Sequence, residues 1–135
     1  MGDAATEHPN VTLVREAFMR SAAGDIDGAM TFWAPGARYH AFDANGVQST
    51  DIDDAGDVMR SGRRLLEDHR NEIVEIRAIG DELVMMHLHA DAVSHAGEQM
   101  HADYLLVLCV RDGAIHWGCD FIDRSIQDFL DNAWS

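Results

Sequence analysis

The sequence predicts an α+β fold in which helices come first and a curved, largely antiparallel sheet follows, the two enclosing an apolar pocket. Three observations predict it. Apolar residues recur at helical spacing through the first half of the chain, and from Asn71 onward the pattern repeats every second residue. The later runs are separated by the short turns Gly80-Asp81, Ala96-Gly97-Glu98 and Asp112-Gly113, and turns this short join antiparallel neighbours. Helices gathered ahead of a meander are the α+β order, with the helices covering one sheet face.

Residues 1–8 are polar and acidic and read as a tail, and residues 9–135 as a single domain. Pro9 and Asn10 introduce a first helix carrying Val11, Val14, Phe18 and Ala22 on one side, and Gly24 stops it. Asp25 can cap a short second helix running through Ala29 to Trp33, ended by Pro35-Gly36. A strand over 37–42 and a turn-rich loop at Asn45-Gly46 come next. The acidic run Asp51, Asp53, Asp54 and Asp57 opens a third helix reaching about Asp68, where it complements the positive end of the helix dipole. Strands follow over 72–79, 82–94, 99–110 and 114–123, and Ser125 is placed to cap a last helix ending near Trp134.

Composition narrows the function classes. Twenty-four acidic residues against ten Lys plus Arg give a net charge of −14, which repels nucleic-acid backbones and anionic membrane surfaces. The start of the chain has no basic, apolar leader, and no apolar run approaches the ~18 residues of a membrane span. A cytoplasmic location is expected. Cys109 and Cys119 are too few for a disulfide scaffold and read as small buried residues. Gly-x-Ser-x-Gly, Gly-rich phosphate loops, Cys-x-x-Cys and His-Glu-x-x-His are all absent. No cofactor is expected.

Two constellations remain. His87, His89, His95 and His101, with Asp91 and Asp103, lie on two adjacent strands, and His87, His89 and Asp91 share one side. A loop over 96–98 sets Asp91 opposite Asp103 and His89 opposite Leu105. Such a set can ligate zinc or iron, or it can be the solvated or subunit-contact face of the sheet. The second reading is favoured, because the opposite side (Val84, Met86, Leu88, Ala90, with Tyr104, Leu106, Leu108 and Val110) is far more apolar. No metal is expected. The second constellation is Asp120, a carboxylate in the middle of a strand rich in large apolar residues. An apolar setting disfavours the charged form and moves a carboxyl toward a pKa useful for proton transfer.

The stretch Gly24-Asp25-Ile26-Asp27-Gly28, followed by Phe32-Trp33-Ala34-Pro35-Gly36-Ala37 leading into Arg38-Tyr39, resembles the nuclear transport factor 2-like superfamily. That superfamily includes the ketosteroid isomerases and the SnoaL-like polyketide cyclases. Asp112-Gly113-Ala114-Ile115 with Trp117, Asp120 and Asp123 is similar to its last hairpin. The resemblance implies a cone-shaped, cystatin-like sheet with three N-terminal helices in its concavity, and a homodimer formed through the outer sheet face. The isomerases' oxyanion-binding Tyr, their base and their protonated Asp fall at Ala17, Ala41 and Leu106 here, so that mechanism does not carry over. The cyclases' acid/base Asp falls at Asp120, and their assisting His at Leu106.

The resulting expectation is a SnoaL-like protein holding a small hydrophobic molecule, an aldol-type cyclase or isomerase with Asp120 as acid/base. Tyr39 would donate to the substrate oxygen or to Asp120. Phe18, Trp33, Met59, Met86, Tyr104 and Leu106 are the expected ligand contacts. A non-catalytic binding module is the first alternative. Epoxide hydrolysis is the second, and it wants an Asp-Arg-Asp relay for which Arg38, Arg63 and Arg77 show no carboxylate partner by spacing.

Overall fold

Short polar residues set the helix starts. In the computed structural model, which describes residues 7–43, 46–121 and 124–134, the Asp25 carboxylate accepts the Gly28 N–H at 2.9 Å and opens α2 (Ile26–Met30). Asp51 accepts the Asp53 N–H at 2.9 Å and opens α3 (Ile52–Arg64). Asp53 and Asp54 in the first turn of α3, with Arg63 and Arg64 in its last, match the dipole at both ends. His8 caps α1 (Pro9–Ala22) through its ring nitrogen.

The strands are β1 (Trp33–Asp43), β2 (Gly46–Asp51), β3 (Leu66–Ile79), β4 (Leu83–Ser94), β5 (Gln99–Arg111) and β6 (Ala114–Phe121), and α4 (Arg124–Trp134) follows. They form one curved, unclosed sheet in the order β2-β1-β6-β5-β4-β3. Neighbours are antiparallel except β1 and β6, which run parallel.

Several boundaries differ from the sequence expectation. α2 ends at Met30, and Pro35-Gly36 lies inside β1. The β1–β6 ladder is interrupted between Trp33 and Arg38, so the missing proline N–H breaks no regular pairing there. The 46–51 segment is an edge strand, not a loop. Its four leading residues are exposed, and an edge strand without a core-facing side leaves no alternation to read. α3 stops at Arg64 and β3 begins at Leu66, six residues ahead of the expected start at 72. The β4–β5 loop is 95–98, closed by Gly97 at φ 87° and by Ser94 N–H to Glu98 carbonyl at 2.9 Å. Asp91 therefore faces His101, and His89 faces Asp103. The slip is two residues, so each side chain keeps its expected side. Asn45, Ile122 and Asp123, and the side chain of Ser125, lie outside the described residues.

Burial along β4 alternates without a fault from Leu83 to Ser94. Its buried side, with Val84, Met86 and Leu88, packs on Leu108, Val110 and Ile115 of the sheet and on Val11, Val14 and Ala17 of α1. A second cluster, Ala37, Ile52 and Ala55, fastens α3 to β1. Arg63 ties α3 to the end of α1 by donating to the Ser21 carbonyl at 2.7 Å. Among the described residues no helix is long and apolar enough to cross a membrane.

Candidate functional site: a cavity under the curved sheet

Between the three N-terminal helices and the inner side of the sheet lies a cavity of about 380 Å³, walled mostly by apolar side chains. That volume falls in the range of small-molecule sites. Asp120, Tyr39, Phe18, Trp33, Met59, Met86, Tyr104 and Leu106 all border it.

The sheet register explains how residues far apart in sequence meet here. Ala41, Asp120, Leu106, Met86 and Ile76 form one row across β1, β6, β5, β4 and β3. Tyr39 stands on β1 beside Gly118 of β6, and its hydroxyl donates to Asp120 Oδ2 at 2.6 Å. A bond this short is typical of a hydroxyl meeting a carboxylate. The parallel β1–β6 pairing brings the two together.

Gly118 contributes by having no side chain. A Cβ there would come within 2.8 Å of the Trp33 ring and 2.9 Å of a Leu108 methyl. The indole fills that space and meets the Tyr39 ring edge-on, with centroids 6.0 Å apart. Trp33 thereby braces Tyr39 against Asp120.

Burial holds the Tyr39 hydroxyl well above its ordinary pKa, and the negative charge of Asp120 and the hydrogen bond to it push the same way. Tyr104 is pushed up to about 12, by burial first and then by Asp120. Both remain protonated donors at any working pH. The Tyr39 hydroxyl is committed to Asp120, whereas that of Tyr104 makes no hydrogen bond to a described residue.

Two further polar groups border the cavity that the sequence reading missed, His69 and Asn71. Both precede the expected start of their strand. Alternation extended backward from Ile73 along β3 would have placed both on the inner side. The His69 nitrogens are closed off from solvent and, among the described residues, have no hydrogen-bond partner. Desolvation, helped by the nearby Arg63 charge, lowers the His69 pKa and keeps the ring neutral.

The conspicuous histidines lie on the other side of the sheet. Asp103 Oδ1 is 3.0 Å from His87 Nε2 and 3.3 Å from His89 Nδ1. Asp91 Oδ1 is 3.1 Å from His89 Nε2 and 2.6 Å from His101 Nδ1. This is a chain of alternating rings and carboxylates. Among the described residues no three His, Cys, Asp or Glu side chains converge to hold a metal ion. Of the arginines considered for a relay, Arg38 donates to the Ser49 hydroxyl and Arg63 to α1 carbonyls. Arg77 has a carboxylate partner after all, Glu75 at 2.5 Å.

Residues 14–116 match the model of the SnoaL-like domain family. The chain belongs to that family, within the nuclear transport factor 2-like superfamily. Among solved structures it is similar to AclR, a putative hydroxylase from Streptomyces galilaeus: 18% identity, 90% of this chain and 94% of that one covered, TM-score 0.74. It is also similar to a putative polyketide cyclase from Xanthomonas campestris pv. campestris, at 14% identity, 93% and 96% coverage and TM-score 0.71. A cystatin-fold protein from Novosphingobium aromaticivorans aligns at 15% identity, 82% and 96% coverage and TM-score 0.69. At these identities the likeness is one of fold. No curated protein matches the chain.

Proposed function

We propose that the cavity binds a small, mostly apolar carbonyl compound and that Asp120 moves a proton on it, as in an aldol-type cyclisation or an isomerisation. The observation that carries this reading is the Tyr39–Asp120 hydrogen bond on the wall of a mostly apolar cavity. A carboxylate kept there costs desolvation, and the Tyr39 hydroxyl offsets part of that cost.

The steps balance without an added reagent. Asp120 takes a proton from the carbon next to the substrate carbonyl, the C–H electron pair becomes the enolate, and Asp120 becomes the acid. In an isomerisation the proton returns to another carbon. In a cyclisation the enolate carbon bonds to a second carbonyl carbon, and the proton passes to the new alkoxide. Tyr39 holds the carboxylate in place. Tyr104, with its hydroxyl available, donates to the oxygen on which charge develops.

The test needs no knowledge of the natural substrate. Exchange of the acidic α-protons of β-tetralone for deuterium is followed by NMR in heavy water. The wild type is expected to accelerate exchange, Asp120→Asn to lose roughly 10²–10⁴-fold of that, and Tyr104→Phe to lose about tenfold or more. An Asp120→Asn protein exchanging at the wild-type rate would sink the proposal.

A second reading is a non-catalytic module holding a hydrophobic metabolite in the same cavity. It is favoured by the apolar neighbour Leu106 that Asp120 meets across β5. Ligand binding without any acceleration of exchange selects it. For the quaternary state we propose a homodimer through the outer sheet face, where Phe121, 44% exposed, stacks on Phe42 at 4.6 Å and Leu105 is 36% exposed. Phe121→Asp should then give monomers in sedimentation runs, and an unchanged mass would remove this contact.

A further inference from the structure

The end of the cavity away from Asp120 is built differently from its middle. His69 and Asn71 are two residues apart on β3 and share its inner side. Their cross-strand partners on β4 are Ala92 and Ala90, and the partner of Ala90 on β5 is Ala102. An imidazole and a carboxamide thus look over a patch of methyl groups, which leaves room above them. Neither side chain is bonded to any described residue: the His69 ring nitrogens have no partner, and the Asn71 amide makes no hydrogen bond. Leaving the buried His69 nitrogens unsatisfied costs about 1–3 kcal/mol, and buried polar groups are rarely left so.

We propose that Asn71 and His69 form a second polar subsite, and that the ligand is an apolar molecule about two rings long with a hydrogen-bonding oxygen at each end. One oxygen sits at Tyr104 and Asp120, the other at Asn71 and His69. The sheet fixes the length. Tyr104 pairs with Leu88, and Asn71 with Ala90. Two residues along and two strands across place their Cα atoms about 12 Å apart, a span suited to a two-ring body. Neutral imidazole offers one donor and one acceptor, and carboxamide offers both, so a hydroxyl or a carbonyl is accepted equally. His69 borders the cavity, with its ring nitrogens closed off from solvent. Rotation about the ring torsion, which is broad for histidine, presents one to the ligand. Desolvation and Arg63 keep that ring uncharged, which suits a neutral oxygen better than an anion. The subsite rests on the reading of the cavity as a ligand site, and it adds the class of ligand.

Two phenols of equal body separate the two ends. para-Phenylphenol carries one hydroxyl, and para,para′-biphenol carries one at each end. Dissociation constants are measured by calorimetry for the wild type, Asn71→Ala, His69→Leu, His69→Gln and Asp120→Asn, with thermal melts to verify folding. In the wild type the second hydroxyl should tighten binding about three- to tenfold, the worth of one net hydrogen bond. That gain should vanish in Asn71→Ala and His69→Leu while para-phenylphenol binds them as before, and His69→Gln should restore part of it. Asp120→Asn should weaken both phenols alike and keep the gain. A wild type that binds neither phenol, or gains nothing from the second hydroxyl because trapped water already serves His69, overturns the subsite. So does a gain that survives in both Asn71→Ala and His69→Leu. Loss of the gain in those variants with no effect of Asp120→Asn keeps the subsite and removes the role of Asp120. The opposite pattern removes the subsite alone.

Discussion

On the outer side of β4 and β5, His89 lies between the carboxylates of Asp91 and Asp103 in contact with water, and its pKa is raised, chiefly by the hydrogen bond to Asp103. On the inner side of β3, His69 borders an apolar cavity, and its pKa is lowered, chiefly by desolvation. The same ring is pushed in opposite directions by the two faces of one sheet. The carboxylates divide likewise. Asp103 and Asp91 are lowered by histidine partners, whereas Asp120 meets a tyrosine that cannot ionise at working pH. An exposed chain of charges is screened and replaceable. A part-buried carboxylate facing a mostly apolar cavity is a costly arrangement, and chemistry is a sufficient reason to keep it.

The sharpest way to break this contrast is to neutralise one carboxylate on each face. Asp120→Asn should remove roughly 10²–10⁴-fold of the β-tetralone exchange rate, and Asp103→Asn should leave that rate within about twofold, both read by the same NMR assay. Comparable losses from the two would end the distinction. Next come the adjacent methionines. Met86 is 2% exposed on the inner side and Met85 is half-buried on the outer. Met86→Ala should cost about 2–5 kcal/mol in urea unfolding and Met85→Ala less than half of that. A Met85 cost that grows with protein concentration would place Met85 in the subunit contact.

Gly118→Ala probes the brace behind Tyr39. The added methyl collides with Trp33 and Leu108 and should cost about 1–3 kcal/mol. It should also slow exchange by loosening Tyr39 against Asp120, so an unchanged rate and melting temperature would show that the indole moves aside freely.

The smallest effect is in pH dependence. The stability that His89 contributes is fully present below its ordinary 6.5 and is lost as pH rises through its raised folded value. That of Asp91 and Asp103 is present above 3.8 and is lost as pH falls through their lowered folded values. The outer chain therefore stabilises most between 3.8 and 6.5. His69 acts with the opposite sign. As pH falls through 6.5 the unfolded chain takes the proton first, so the fold loses stability. Urea midpoints of His69→Leu below pH 6.5 and of His89→Gln above it, each referred to the wild type, should slope in opposite senses. Slopes of one sign would show that the two faces do not differ as described.

How much of this was legible in the chain follows from how each element signals itself. β4 announced both its faces, because Val84, Met86 and Leu88 alternate with Met85, His87 and His89, and burial follows that alternation. The caps Asp25 and Asp51 were legible because a short acceptor side chain ahead of a helical run has one obvious use. β2 was not legible: its leading residues face solvent, and it is a strand only because β1 supplies the hydrogen bonds. His69 and Asn71 were hidden for a related reason. Exposed Asp68, Arg70 and Glu72 interleave with them on the edge strand β3 and make the segment look uniformly polar.

By itself the sequence determined the order of the helices and of the five strands other than β2, the side of each long strand that is buried, and the presence of one carboxylate on an apolar strand. These follow from local periodicity, which any segment carries within itself. Only the tertiary structure decided that Asp91 faces His101, because a loop closed by a left-handed glycine sets the register. It alone brought Tyr39 to Asp120, through a parallel pairing of β1 with β6 across most of the chain. It alone turned His69 and Asn71 toward the cavity. Contacts between distant segments depend on how the whole sheet curves and pairs, and no local pattern encodes that.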